Sequence, residues 1–245
     1  MKILRIWDQI GDLLGQTPFH PQYFIYTAEA SNLKITLKNM KGNVLDVGSG
    51  RQKLKKIIEE NNLKYISLDH PSVYRRQRSE NRPDILADIT SIPLKNSSID
   101  NVLLFMVLEH LPHPEEGLME IYRILKKEGK VFVSTIENYP THDAPNDYFR
   151  YKLTGVASLC KKAGFKIIKT KSGGNIWQVN AINFNTFILQ TIKYIWDNNN
   201  SKFLLIILLI FLYPLTIISN LLAILLKPLD LIKTSQLVIY TIAQK

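Results

Sequence analysis

The run Phe203–Leu226 constrains this chain more than any other segment: its 24 residues carry no charge, and only Pro214, Thr216, Ser219 and Asn220 are not apolar. A bilayer hydrocarbon core about 30 Å thick is crossed by roughly 20 such residues in a helix. A helix in a water-soluble core seldom runs half that far without a polar face. Contact with a membrane is therefore expected. Trp177, Tyr194, Trp196 and Tyr213 lie before or within the run, and Lys193, Lys202, Lys227 and Lys233 flank it. Aromatic and lysine side chains so placed suit headgroup depth. The amino-terminal MKILRIWDQIGDLLG is interrupted by Arg5, Asp8 and Asp12; it is too polar for a signal peptide and predicts a short amphipathic helix.

The remainder reads as globular. A chain of 245 residues holds one domain of ordinary size with room for an appendage. Apolar residues at 46% and charged residues at 21% exclude wholesale disorder. The single cysteine, Cys160, excludes an internal disulfide framework and a Cys-rich metal site, and fits a reducing compartment. With 31 basic against 21 acidic residues the net charge is +10. That favours anionic partners, and on charge alone nucleic acid, a phospholipid surface and a phosphorylated substrate are equally compatible.

From Asn43 onward, short apolar segments alternate with charged helical ones. The expected strands are Val44–Val47, Tyr65–Leu68, Ile85–Ala87, Asn101–Met106, Lys130–Thr135, Phe165–Thr170 and Gln236–Ala243. Helices are expected over Gln52–Asn61, Glu115–Lys127 and Tyr151–Ala163, and over much of residues 1–40 with breaks at Pro18 and Pro21. Such alternation predicts an α/β fold with a mostly parallel sheet and helices on both faces.

Val44-Leu45-Asp46-Val47-Gly48-Ser49-Gly50 carries the first strand straight into a Gly-rich turn. Ligands of such sheets sit at the carboxyl ends of the strands, and glycines there let a ligand approach backbone amides. A lone G-x-G is equally a tight turn. Its context is more specific. Asp69 ends the second strand about 20 residues later, where a carboxylate can accept ribose hydroxyls. Asp88 follows the third strand, and the fourth runs into Val107-Leu108-Glu109-His110-Leu111. A nucleotide-dehydrogenase fingerprint would need a further glycine where Lys53 stands.

Over roughly residues 41–171 the pattern resembles the class I S-adenosylmethionine-dependent methyltransferases, in the small-molecule branch with a Leu-Glu-His segment after strand four. The resemblance implies a Rossmann-like sheet whose last strand is antiparallel, and S-adenosylmethionine as cofactor. It places Gly48, Ser49 and Gly50 against the methionine part, with Asp46 holding its amino group directly or through water. It gives Asp69 the ribose hydroxyls, Asp88 and the Ile89 amide the adenine edge, and Phe105 and Met106 a place under the cofactor. No metal site is expected, since His110 and His113 lack supporting carboxylates at helical spacing.

Transfer to a hydroxyl requires proton removal, which an imidazole can perform near neutral pH. His110, after the fourth strand, is one candidate base, though it reads equally as a backbone-bonded helix start. His142 is the other, in the long polar and aromatic stretch from Tyr139 to Tyr151, where Arg150 could hold an anionic group. A nucleic-acid methyltransferase lacks support, because Leu108–Pro112 stands where amino-methylating enzymes carry an Asn/Asp-Pro-Pro-aromatic segment. A non-enzymatic membrane module would leave the strand-end carboxylates unexplained. The expectation is a membrane-associated, monotopic methyltransferase with its catalytic domain cytoplasmic. Its acceptor would be a small molecule, glycan or lipid-linked group, most simply O-methylated, its lipid partner an anionic surface, and nucleic acid no partner.

The expected organisation is a helical cap over 1–40, the core over 41–171, a hydrophobic insertion over 172–234 and a final strand over 235–245. Both ends of that insertion belong to one sheet, so a single crossing would separate them. A break at Pro214 would give two arms of about 17 Å, too short to span and therefore re-entrant or interfacial.

Overall fold

The computed structural model describes residues 13–77, 81–198 and 202–245; most of the amphipathic helix expected at the amino terminus lies outside them. In chain order the elements are α1 (Tyr23–Leu37), β1 (Asn43–Val47), α2 (Lys55–Glu60), β2 (Lys64–Asp69), α3 (Pro71–Gln77), β3 (Ile85–Leu86), β4 (Ile99–Phe105), a 3₁₀ turn at Leu108–His110 and α4 (Pro114–Ile124). There follow β5 (Leu125–Ile136), α5 (Leu153–Lys162), β6 (Lys166–Gly173), α6 (Ile176–Asn198), α7 (Lys202–Leu225), a 3₁₀ turn at Lys227–Leu229 and β7 (Val238–Gln244).

The strands form one seven-stranded sheet in the order β3-β2-β1-β4-β5-β7-β6. Pairs β1–β2, β1–β4, β2–β3 and β4–β5 are parallel. β7 runs the other way: Leu237 N–H donates to the Gly173 carbonyl at the end of β6, and Lys245 N–H to the Gly129 carbonyl near the start of β5. Alternation along the strands splits the core between two faces. Leu45, Val47, Val102, Leu104, Val131 and Val133 pack with Leu118, Ile121 and Val156 of α4 and α5. Val44, Leu103, Phe132 and Tyr240 pack with Ile58 on the other face.

Two boundaries depart from expectation. The helix expected over Glu115–Lys127 ends at Ile124, because Leu125, fully buried, already pairs with Ile99 as the first residue of β5. Nor is the apolar run broken at Pro214: α7 is one helix of 24 residues with the proline inside it. Proline removes a backbone donor and crowds the preceding turn. Here hydroxyls bond back around it, Thr216 Oγ1 to the Tyr213 carbonyl at 2.7 Å and Ser219 Oγ to the Thr216 carbonyl at 2.9 Å. Among the described residues, Ile207–Leu225, with a mean hydropathy of 2.3, is the one helical segment long and apolar enough to cross a membrane.

The chain divides into two compact units. One comprises Asn32–Glu137, Asp143–Ser172 and Ile239–Lys245, and holds nearly the whole sheet with its helices. The other comprises Met1–Ser31, Asn138–His142 and Gly173–Val238. Within this second unit α6 and α7 are antiparallel. Asn185 meets Ser219 and Asn220, while Ile188 and Ile192, further along α6, meet Leu209 and Leu212, further back on α7.

Candidate active site

The first strand ends in a turn that only glycine fits. Gly48 has φ +72°, and a Cβ there would collide with the Val107 side chain; Gly50 has φ +50°. The Gly48 and Ser49 amides donate to the Leu68 carbonyl at 2.8 and 3.1 Å, which fastens the turn to the end of β2. There Asp69 accepts from two further amides, Oδ2 from Gly50 N–H at 2.9 Å and Oδ1 from His70 N–H at 2.8 Å. Each carboxylate oxygen keeps acceptor capacity beyond these bonds. Burial raises the Asp69 pKa above its ordinary value, and the two amides oppose the shift.

This corner opens into a cavity of about 410 Å³ at the carboxyl ends of β1, β2 and β4, within the sheet-bearing unit. Gly48, Asp69, Asp88, Ile89, Met106 and His110 line it, as do Asp143, Asn146 and Tyr148 from the segment after β5. Asp88 is held by Thr90, whose N–H and Oγ1 both donate to its Oδ1 at 2.8 Å. The Thr90 amide leads in holding the Asp88 pKa below its ordinary value. Four carboxylates (Asp69, Asp88, Glu116, Asp143) and three histidines contribute to the wall, and no lysine or arginine does among the described residues. Such a wall suits a cationic or neutral ligand and disfavours a pyrophosphate.

His110 is fixed by its backbone surroundings. Its Nδ1 lies 2.6 Å from the Asn146 carbonyl, which can only accept, so Nδ1 carries a proton. The neighbouring Glu109 is fully buried. Its Oε2 accepts from Thr135 Oγ1 at 2.8 Å, and its carbonyl accepts the Tyr148 and Phe149 amides at 3.0 and 3.3 Å. Burial pushes its carboxyl pKa up. The Leu-Glu-His segment thus ties the 146–149 stretch to the end of β4.

Several expected residues lie elsewhere. Asp46 is buried behind the turn, accepting from Tyr65 Oη at 2.7 Å, and does not line the cavity. Burial raises its pKa to about 7, the Tyr65 bond opposing and the Asp69 charge adding to the rise. Gly50 acts through its amide on Asp69, and Ser49 is buried in the turn. Phe105 requires correction. The strand alternation that sends Leu104 into one core sends Phe105 to the other, edge-on to Tyr240 at 6.3 Å, and Met106 with φ +53° takes the place at the cavity. His142 belongs to the other unit, where it stands edge-on to Tyr139 with ring centroids 5.0 Å apart. Arg150 is clasped by both oxygens of Asp147, at 2.6 and 2.7 Å, rather than held open for a phosphate. The sequence reading passed over Asn146, Thr135 and Tyr65, each of which fixes a site residue across a long chain separation.

Residues 45–133 match the family model of the methyltransferase domain, Methyltransf_11. A protein of Mycolicibacterium smegmatis named as a probable S-adenosylmethionine-dependent methyltransferase is 29% identical over 137 residues, covering 52% of this chain and 53% of that protein. An uncharacterised protein of Methanocaldococcus jannaschii is 33% identical over 131 residues, 53% of this chain and 57% of its own. The chain thus spans about half the length of these curated relatives. In fold it is similar to the solved structure of an S-adenosylmethionine-dependent methyltransferase from Archaeoglobus fulgidus, with a TM-score of 0.55 and 16% identity over 89% of this chain and 94% of that one. The strand order, the Gly-rich turn with its clamped Asp69 and the match over 45–133 agree: residues 45–133 carry a methyltransferase domain of the S-adenosylmethionine-dependent kind.

Proposed function

We propose that the chain catalyses methyl transfer from S-adenosylmethionine to an acceptor presented at a membrane, a glycan or lipid-linked group methylated on oxygen. The observation that carries the methyl-transfer reading is Asp69, whose two oxygens are aimed by the Gly50 and His70 amides at the rim of the 410 Å³ cavity. The residues fit the cofactor: the glycine turn allows close approach, and the acidic wall matches a ligand bearing a sulfonium and an ammonium. When bound, that cofactor supplies an electrophilic methyl group.

The protein's own residues supply the rest. Asp69 orients the ribose, while Asp88 and Ile89 bound the adenine end. His110, its Nδ1 proton held by the Asn146 carbonyl, accepts the hydroxyl proton at Nε2 as oxygen attacks in line. The loop residues Asp143, Asn146 and Tyr148 form the acceptor side. Membrane association is supported by the apolar helix and its flanking lysines, O-methylation by the presence of an imidazole at the cavity. The test is incubation of the protein with isotopically labelled cofactor and isolated membranes, followed by mass spectrometry of extracted lipids and glycans. Label in a membrane-borne product supports the proposal. Label confined to water-soluble amines would remove the acceptor class, and failure to bind S-adenosylhomocysteine would remove the activity.

A further inference from the structure

The second unit has an apolar surface with a definite direction. Along α7, Thr216, Asn220 and Ala223 are buried, while Phe211, Leu215, Ile218, Leu222 and Leu225 are exposed on the opposite side. Their spacing of four, three, four and three residues is one helical face, about 21 Å long. The surface continues past the helix into Leu231 and Ile232, which are 84% and 81% exposed, beside Lys227 and Lys233.

The buried side is polar and closed. Asn220 Nδ2 donates to the Pro18 and His20 carbonyls at 2.9 Å, and Tyr213 Oη to the Phe19 carbonyl at 2.9 Å. Asn185 Nδ2 donates to the Pro21 carbonyl at 2.9 Å and to Asn220 Oδ1 at 3.0 Å. The irregular segment Pro18–Pro21 is therefore strapped to the middle of the apolar run. Were α7 to cross a bilayer, that strap would lie near the midplane, with Phe19 57% exposed beside it. Irregular backbone is tolerated at that depth only where protein or a water-filled cavity shields it.

Both ends of the excursion also meet: Leu237 N–H donates to the Gly173 carbonyl at 2.8 Å. An odd number of crossings is excluded. Two crossings would carry α6 through the hydrocarbon with Asn180, Asn183 and Lys193 exposed on it, polar side chains that hydrocarbon does not solvate. We infer that α6 and α7 lie along one leaflet, with the Phe211–Leu225 face and Leu231-Ile232 in the acyl boundary and Lys227 and Lys233 at anionic headgroups. This rests on the membrane association proposed above and is independent of the methyl-transfer chemistry.

The full chain is tested by flotation with phosphatidylcholine vesicles, with and without about 30% phosphatidylglycerol. Binding strengthened by the anionic lipid is expected. Leu222→Glu and Leu225→Glu should each lower the bound fraction by on the order of tenfold, while affinity for S-adenosylhomocysteine stays parental. In a Cys160→Ser background, Asn180→Cys and Asp197→Cys stand at opposite ends of α6, and both should react with an impermeant maleimide outside sealed vesicles. Reaction of Asp197→Cys only after permeabilisation would show crossing and overturn the inference. So would a soluble dimer dissociated by Leu222→Glu, which would make a second copy the cover. A chain that binds S-adenosylhomocysteine but never floats loses this surface and keeps its cofactor site; one that floats without binding does the reverse.

Discussion

Asp69 spends one bond from each carboxylate oxygen on a backbone amide, so the group reaches the cavity already oriented. Asp69→Ala leaves buried ligand hydroxyls without an acceptor, and should weaken S-adenosylhomocysteine binding by about 1–3 kcal/mol, read by calorimetry. Asp46 governs a different observable. Its pKa is raised from 3.8 to about 7 in the folded chain, so between those values the unfolded chain has released a proton that the folded chain still holds. Stability therefore falls as pH rises through this window, by at most about 4 kcal/mol. Asp46→Asn keeps an acceptor for Tyr65 and removes the titration. Relative to the parent, its Tm should rise between pH 4.5 and pH 8; parallel curves would show that Asp46 does not titrate there. Asp69 and Gly48 were legible because their spacing follows the strand rhythm. Tyr65 as partner of Asp46, and Asn146 as partner of His110, were not. Those contacts bridge 19 and 36 residues of chain, and no local pattern encodes them.

At the scale of elements, the sequence pattern marked a place within every strand of the sheet, although β6, KIIKTKSG, is not an apolar run and β5 extends to 12 residues. It misjudged α7. A proline among apolar residues reads as a break when only the backbone is considered, but α7 runs on through Pro214, with the Thr216 and Ser219 hydroxyls bonded back to the Tyr213 and Thr216 carbonyls. Phe105 was misplaced because strand alternation sends it, opposite to Leu104, onto the Tyr240 face, whereas Met106, with φ +53°, reaches the cavity. The Asn185–Asn220 pair, apparently mere polar exceptions in greasy helices, joins both helices to the Pro18–Pro21 strap. Asn220→Leu should cost about 1–3 kcal/mol, because the Pro18 carbonyl loses the Asn220 amide and the His20 carbonyl is left with the Tyr23 amide alone. The double variant with Asn185→Leu should lose less than the sum of the singles, because the two amides share a bond. Thermal unfolding of the four proteins in detergent measures both.

For the whole molecule, the cofactor cavity belongs to one compact unit and the apolar surface to the other, so their contributions to turnover should separate. Leu222→Glu should lower turnover on an acceptor carried in vesicles by on the order of tenfold, yet leave turnover on a detached, water-soluble acceptor fragment near parental. Equal losses on both would tie the two units together chemically. The hydrogen bond between Leu237 and Gly173 carries a last implication, one of chain entropy. A loop whose ends already touch imposes almost no geometry on the sheet it interrupts, and lengthening it is penalised only logarithmically, about 0.6 kcal/mol per doubling. The gap between β6 and β7 is therefore a socket. Excursions of very different length and character could be exchanged there while the strands on either side keep their register.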